Sequence, residues 1–134
     1  MDGAPDHPNA GILVVDAGDP SDPEVVNEIG PPFSANPSET TRELRIWQEQ
    51  KILIVLTFTC SAVIHHCEGS VTPNFRFFDL SDPANPEFMM NFVPTQAGGT
   101  TRTPHEFFLW VDPSDPDRAY IWATTPTGSR NPAQ

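Results

Sequence analysis

Positive charge is what this chain has least of. Seven Lys and Arg stand against eighteen Asp and Glu, Lys51 is the single lysine, and the net charge is −11. Phosphate backbones are bound by clustered Lys and Arg, so nucleic acid is excluded as an expected partner, and an anionic membrane surface is disfavoured for the same reason. Long apolar runs are missing too. The longest, from Ile52 to Ile64, is broken by Thr57, Thr59 and Ser61 and falls short of the ~20 residues that cross a bilayer as a helix. No membrane span is expected, and the chain reads as soluble. The opening MDGAPDHPNA has no apolar h-region, so no secretory signal is expected in the chain as given. There are only two cysteines, Cys60 and Cys67.

Proline, by contrast, is abundant: the sixteen prolines are about 12% of the chain against a usual 5% or so. That density leaves no room for long helices. The prolines sit in DP and NP pairs between apolar runs, which marks turns rather than disorder.

The chain also repeats itself. The stretch VVDAGDPSDPEVVNEI at 14 to 29 returns as FFDLSDPANPEFMMNF at 77 to 92, pairing Asp16 with Asp79, Asp19 with Asp82, Pro20 with Pro83, Pro23 with Pro86 and Glu24 with Glu87. ELRIW at 43 to 47 returns as EFFLW at 106 to 110 with the same offset of 63. Two separate matches at one offset are the signature of a tandem repeat with about two units.

One unit, from Glu43, reads ELRIWQ, a short break, ILIVLTFT, a long loop from Cys60 to Asn74, FRFFDL, the turn SDPANP, and EFMMNFV. These are four strands of ordinary length, rich in Val, Ile, Phe and Thr. ILIVLTFT is apolar on both faces, as a strand between two layers should be. A helix over 38 to 51 is the rival, with Pro37 and Ser38 resembling a cap and Leu44, Trp47 and Lys51 at helical spacing. Against it, EFFLW runs from Thr-Pro-His into Asp-Pro and has no length for a helix.

Four antiparallel strands repeated radially make a propeller blade. The expected fold class is all-β, with four-stranded antiparallel blades of a β-propeller in an incomplete ring. On this reading 1 to 134 is a single partial propeller domain. Residues 11 to 29 supply the third and fourth strands of one blade, 43 to 93 a complete blade, and 105 to 124 the first and second strands of the next. A little under two blade-equivalents cannot close a ring. The open halves therefore pair with the remainder of a longer chain or with further copies, and Ile121, Trp122, Val14 and Val15 are expected to be buried only once they do.

GILVVDAGDPSDPEVV and FRFFDLSDPANPEFM resemble the LVIVD repeat, in which a strand ending in Asp is followed by SDPxNP and another apolar strand. The likeness covers about a quarter of the chain, with Gly18 for Ser and Asp22 for Asn in the first copy. The resemblance implies a β-propeller and an extracellular, periplasmic or cell-surface location, and implies no particular chemistry.

In an up-and-down blade the DP turns share one end. The long connections, 30 to 42, 60 to 74 and 94 to 105, share the other, and long loops in compact folds are where function concentrates. That end collects Cys60, His65, His66, Cys67 and His105. In CSAVIHHC the two cysteines suit a disulfide in an oxidising compartment. A zinc or copper site is the second reading and inert buried thiols the third, since the spacing fits no standard zinc pattern. His105 and Glu106 either begin a strand as edge cap and solvated acid or form part of a ligand site at the channel mouth. The preceding unit has Arg42 where this one has His105, so the repeat does not demand the histidine. Trp47 and Trp110 occupy equivalent positions and are expected to pack between blades. Asp residues of the DP turns are expected to serve the turns, because DPSDPDR lacks the glycine and terminal Glu of a calcium loop.

Two functions of different class follow. One is a non-catalytic exported or cell-surface propeller that binds a protein or small-molecule partner through its long-loop face, with no cofactor. The other is a metal-dependent propeller oxidase, resembling the selenium-binding, methanethiol-oxidising family, with copper or zinc held by His65, His66 and His105.

Overall fold

The computed structural model describes residues 11–29, 39–59, 71–95, 98–99 and 101–125. Every regular element among them is a strand: β1 (Ile12–Asp16), β2 (Glu24–Ile29), β3 (Glu39–Trp47), β4 (Ile52–Thr59), β5 (Asn74–Asp79), β6 (Glu87–Phe92), β7 (Glu106–Asp112) and β8 (Asp115–Thr124). They form three antiparallel sheets, β1-β2, β3-β4-β5-β6 and β7-β8, of two, four and two strands. The helical alternative for 38 to 51 is thus replaced by a strand. β3 begins four residues earlier than the pattern predicts and β8 three residues earlier, which shortens the connection before β3.

The 63-residue offset holds at the level of individual strand pairs. In the first sheet Ile12 faces Ile29, Val14 faces Asn27, Val15 faces Val25 and Asp16 faces Glu24, with a bulge between Val14 and Val15. Adding 63 to each number gives Phe75 with Phe92, Phe77 with Met90, Phe78 with Phe88 and Asp79 with Glu87, again with a bulge, between Phe77 and Phe78. β3-β4 and β7-β8 correspond as well, with β3 and β7 offset by 63 and β4 and β8 offset by 68: Arg45 opposite Ile54 becomes Phe108 opposite Trp122, and Trp47 opposite Ile52 becomes Trp110 opposite Tyr120.

β4 explains why three sheets stack. Its side chains alternate between two faces, and both faces are apolar. Leu53 and Val55 pack with Phe78 and Ile12 on the side of β1-β2. Ile54 and Leu56 pack with Phe75 and Phe107 on the side of β7-β8. Val55, Leu56 and Thr57 have no exposure at all. Either flanking sheet alone would leave one of these faces in water.

The DP turns are built alike. The Asp79 carboxylate accepts from the Ser81 amide at 2.6 Å and that of Asp16 from the Gly18 amide at 2.8 Å. Within the turns the Asp82 carboxylate accepts from Ala84, and the Asp19 carboxylate accepts from both amide and hydroxyl of Ser21. The carbonyls of Asp19 and Asp82 close the same backbone bond, from Asp22 and Asn85, each at 3.0 Å. Asp112 repeats the arrangement with Ser114 at the turn into β8. Turn chemistry accounts for these carboxylates, as their composition suggests. Elsewhere, Gly98 and Gly99 take positive φ of 99° and 83° in the connection after β6, where a Thr95–Thr101 bridge closes the chain on itself.

One internal contact has no counterpart in the sequence reading. Glu39 and Arg76, 2% and 9% exposed, form an ion pair at 2.8 Å, with the guanidinium Nε also donating to the same carboxylate oxygen at 3.2 Å. They reach over β4 and tie the first strand of the central sheet to the third.

Two outcomes follow. Glu39→Ala removes the carboxylate that faces a buried guanidinium and is expected to destabilise the chain by about 3–5 kcal/mol in urea unfolding, whereas replacing Glu39 and Arg76 together by apolar residues of similar volume restores most of the loss. Hydroxyl and then amide hydrogen bonds from Ser21, Ser81 and Ser114 hold the carboxyls of Asp19, Asp79 and Asp112 below their ordinary value. A folded pKa below the unfolded one contributes stability that is fully present above about 3.9 and is lost as pH falls through the lowered value. The urea midpoint should therefore drop in acid below about pH 4, and less steeply in the Ser21, Ser81, Ser114 triple alanine variant.

Candidate binding site at the long-connection end

β3 and β7 are equivalent strands of successive units, and they lie side by side. Both start at the end of the stack that carries the long connections. Three contacts fix them. The Phe107 amide, on the edge of β7 away from β8, donates to the Glu43 carboxylate at 2.6 Å. Glu43 is itself paired with Arg45, whose guanidinium lies 5.5 Å from the Phe107 ring centre. At the far end the Trp47 indole N–H donates to the Pro116 carbonyl at 3.1 Å, so Trp47 does bridge two sheets. Its equivalent Trp110 instead stands 40% exposed against Tyr120.

At the starts of β3 and β7 the equivalent but different residues Arg42 and His105 meet. In β3 the register slips between Thr41 and Glu43, opposite Thr57 and Leu56, leaving Arg42 as the extra residue of a bulge. Bulges re-aim side chains, and here the Arg42 guanidinium sits 3.4 Å from the His105 Nε2 and 5.7 Å from the centre of the Phe58 ring. His105 lies just before β7, held by its own amide donating to the Thr124 carbonyl at 2.9 Å. Its ring tilts at 44° to Phe58 with centres 6.3 Å apart. With Nε2 accepting from Arg42, the Nδ1 hydrogen faces the Glu106 carboxylate at 3.6 Å.

Arg42 is exposed, His105 is 48% exposed and Glu106 64%. The cluster is therefore open to solvent, with a guanidinium able to donate to a bound group, an imidazole beside it and an aromatic ring beneath them. His105 and Glu106, singled out from the sequence, are brought together. His65, His66, Cys60 and Cys67 lie outside the described residues. Arg42 is the residue that sequence reasoning assigned to a loop; the signal that finds it is its 63-residue equivalence to His105. Among the described residues, no group of three His, Cys, Asp or Glu side chains comes together as a metal site, and no helix is long and apolar enough to cross a membrane.

Against known proteins, the chain matches no family model, no curated protein and no solved structure.

Proposed function

We propose that the chain is a β-propeller repeat protein, exported or held at the cell surface, that acts without catalysis by binding a partner through its long-connection end. The group recognised there is a carboxylate or a similar small anion on that partner. The observation that carries this reading is the Arg42–His105 pair. Two equivalent positions of neighbouring repeats, one displaced by a bulge, place a guanidinium and the imidazole beside it on one patch of solvent in a chain that otherwise repels anions. Arginine matches a carboxylate with two parallel N–H donors, and Phe58 shields one side of the guanidinium. The equivalence of strand pairs between units, the face-to-face sheets and the adjacency of β3 to β7 all support successive blades around an axis, with β3 and β7 innermost.

A metal-dependent oxidase is the second reading. His105 with Glu106 offers it two donors, and His65 and His66 would have to supply the rest.

Titration of the isotopically labelled chain with succinate, followed by NMR, distinguishes the two. The expected result is saturable shifts at Arg42, Phe58 and His105, with binding about tenfold or more weaker in Arg42→Ala, the loss expected for one charge-assisted hydrogen bond, and also weaker in His105→Ala, which removes the imidazole beside the guanidinium. Shifts that persist in both variants overturn the assignment of the site. Equimolar copper or zinc in untagged protein, lost in His105→Ala, overturns the non-catalytic reading in favour of the oxidase.

A further inference from the structure

The apolar side chains left in water follow a pattern. On β7-β8, Phe108, Trp110, Tyr120 and Trp122 are 40–67% exposed and line one shallow concavity of about 390 Å³. They occupy the face turned away from the central sheet, since Phe107, Leu109 and Ile121 take the inner one. At the other end of the stack Leu13 and Val15 of β1 are exposed on the face turned away from the central sheet, while Ile12 is buried against it. The central sheet has two exposed corners of its own: Leu44 and Ile46 on the β1-β2 side, and Met90 and Phe92 on the β7-β8 side. Those corners lie where a two-stranded flanking sheet cannot reach across four strands. Ile121, expected to need an assembly for burial, is already covered by the central sheet.

We infer that a second copy of this chain occupies these surfaces, its β1 pairing with β8 of the first to make a composite four-stranded sheet in the order β7-β8-β1-β2. The inference rests on the repeat reading above, and the central sheet is its template. There, β4 pairs with β5 as Ile52 with Asp79, Ile54 with Phe77 and Val55 with Arg76. Carried over by the equivalences of both hairpins, those pairs become Tyr120 with Asp16, Trp122 with Val14 and Ala123 with Leu13 of the second copy.

This register covers both of those corners. Leu13 and Val15 of the second copy fall over Met90 and Phe92 of the first. The aromatic face of Phe108, Trp110 and Trp122 falls over Leu44 and Ile46 of the second. Glu106, equivalent to Glu43, comes to the edge of the next copy's β3, where Glu43 in the present chain already accepts from the Phe107 amide. The free edges of β8 and β1, which otherwise invite uncontrolled pairing, are both consumed. The contact is head to tail, so it repeats until a ring closes. Each copy brings two blade-equivalents, and a ring of about four to eight blades takes two to four copies. With a net charge of −11 per chain the copies repel, so added salt should strengthen the assembly.

The test uses the whole chain with Cys60 and Cys67 replaced by serine. Sedimentation equilibrium at micromolar concentration should give one discrete mass of two, three or four copies, more populated as salt is raised. Mixing Ala123→Cys protein with Leu13→Cys protein under oxidising conditions should give a disulfide-linked heterodimer, because opposed residues of an antiparallel pair lie within disulfide reach. Val14→Cys in place of Leu13→Cys points to the other face and should not cross-link. A folded monomer, a continuous spread of aggregates, or equal cross-linking by the Val14→Cys control overturns the second copy as occupant. A folded monomer that still binds succinate through Arg42 and His105 separates failure of this inference from failure of the binding reading.

Discussion

The structure depends on a strand with two apolar faces. β4 carries Leu53 and Val55 on one side and Ile54 and Leu56 on the other, and it cannot stay in water on either. Burying a side chain of this size is worth about 1.5–3 kcal/mol, so a lone sheet that left half of them exposed would forfeit several times the effect of an ordinary surface substitution. The flanking sheets are there for that reason. Their own outer faces remain apolar, which carries the same requirement outward to the next layer and makes a stack of sheets with no intrinsic end.

Repetition then turns a packing requirement into a site. Because β3 and β7 are equivalent, the starts of both lie at the same end, and whatever stands at position 42 in one repeat meets whatever stands at 105 in the next. Where the repeat is kept, the residues do structural work: Glu43 accepts from the neighbouring strand's amide and Trp47 reaches the neighbouring turn. Where the repeat is broken, Arg42 and His105 are released from that work and face solvent.

Most of the strands were legible in the sequence. β4 announced itself by length and β-branched content, and the paired turns by their DP signatures, since proline and aspartate constrain the backbone locally. The repeat offset supplied the equivalence of stretches between units, which local pattern alone does not. What failed to show was what depends on distant partners. Glu39 reads as a polar loop residue because the arginine that allows it to be buried lies 37 positions away. The start of β3 was misplaced for the same reason: the bulge at Arg42 interrupts the alternation that marks a strand, and only the opposite strand reveals that pairing continues past it. The propeller is a proposal that the repeated strand pairing supports, and the LVIVD likeness rests on the sequence alone.

The central claim is that stability is organised around β4, with the flanking hairpins secured only by what they cover. Native-state hydrogen exchange reads this residue by residue, because amides that open only on global unfolding exchange slowest. At concentrations low enough to keep single chains apart, the amides of Leu53 to Thr57 should exchange slowest, with β2 and β8 opening well below the global free energy. Protection in β2 or β8 equal to that of β4 would contradict the account.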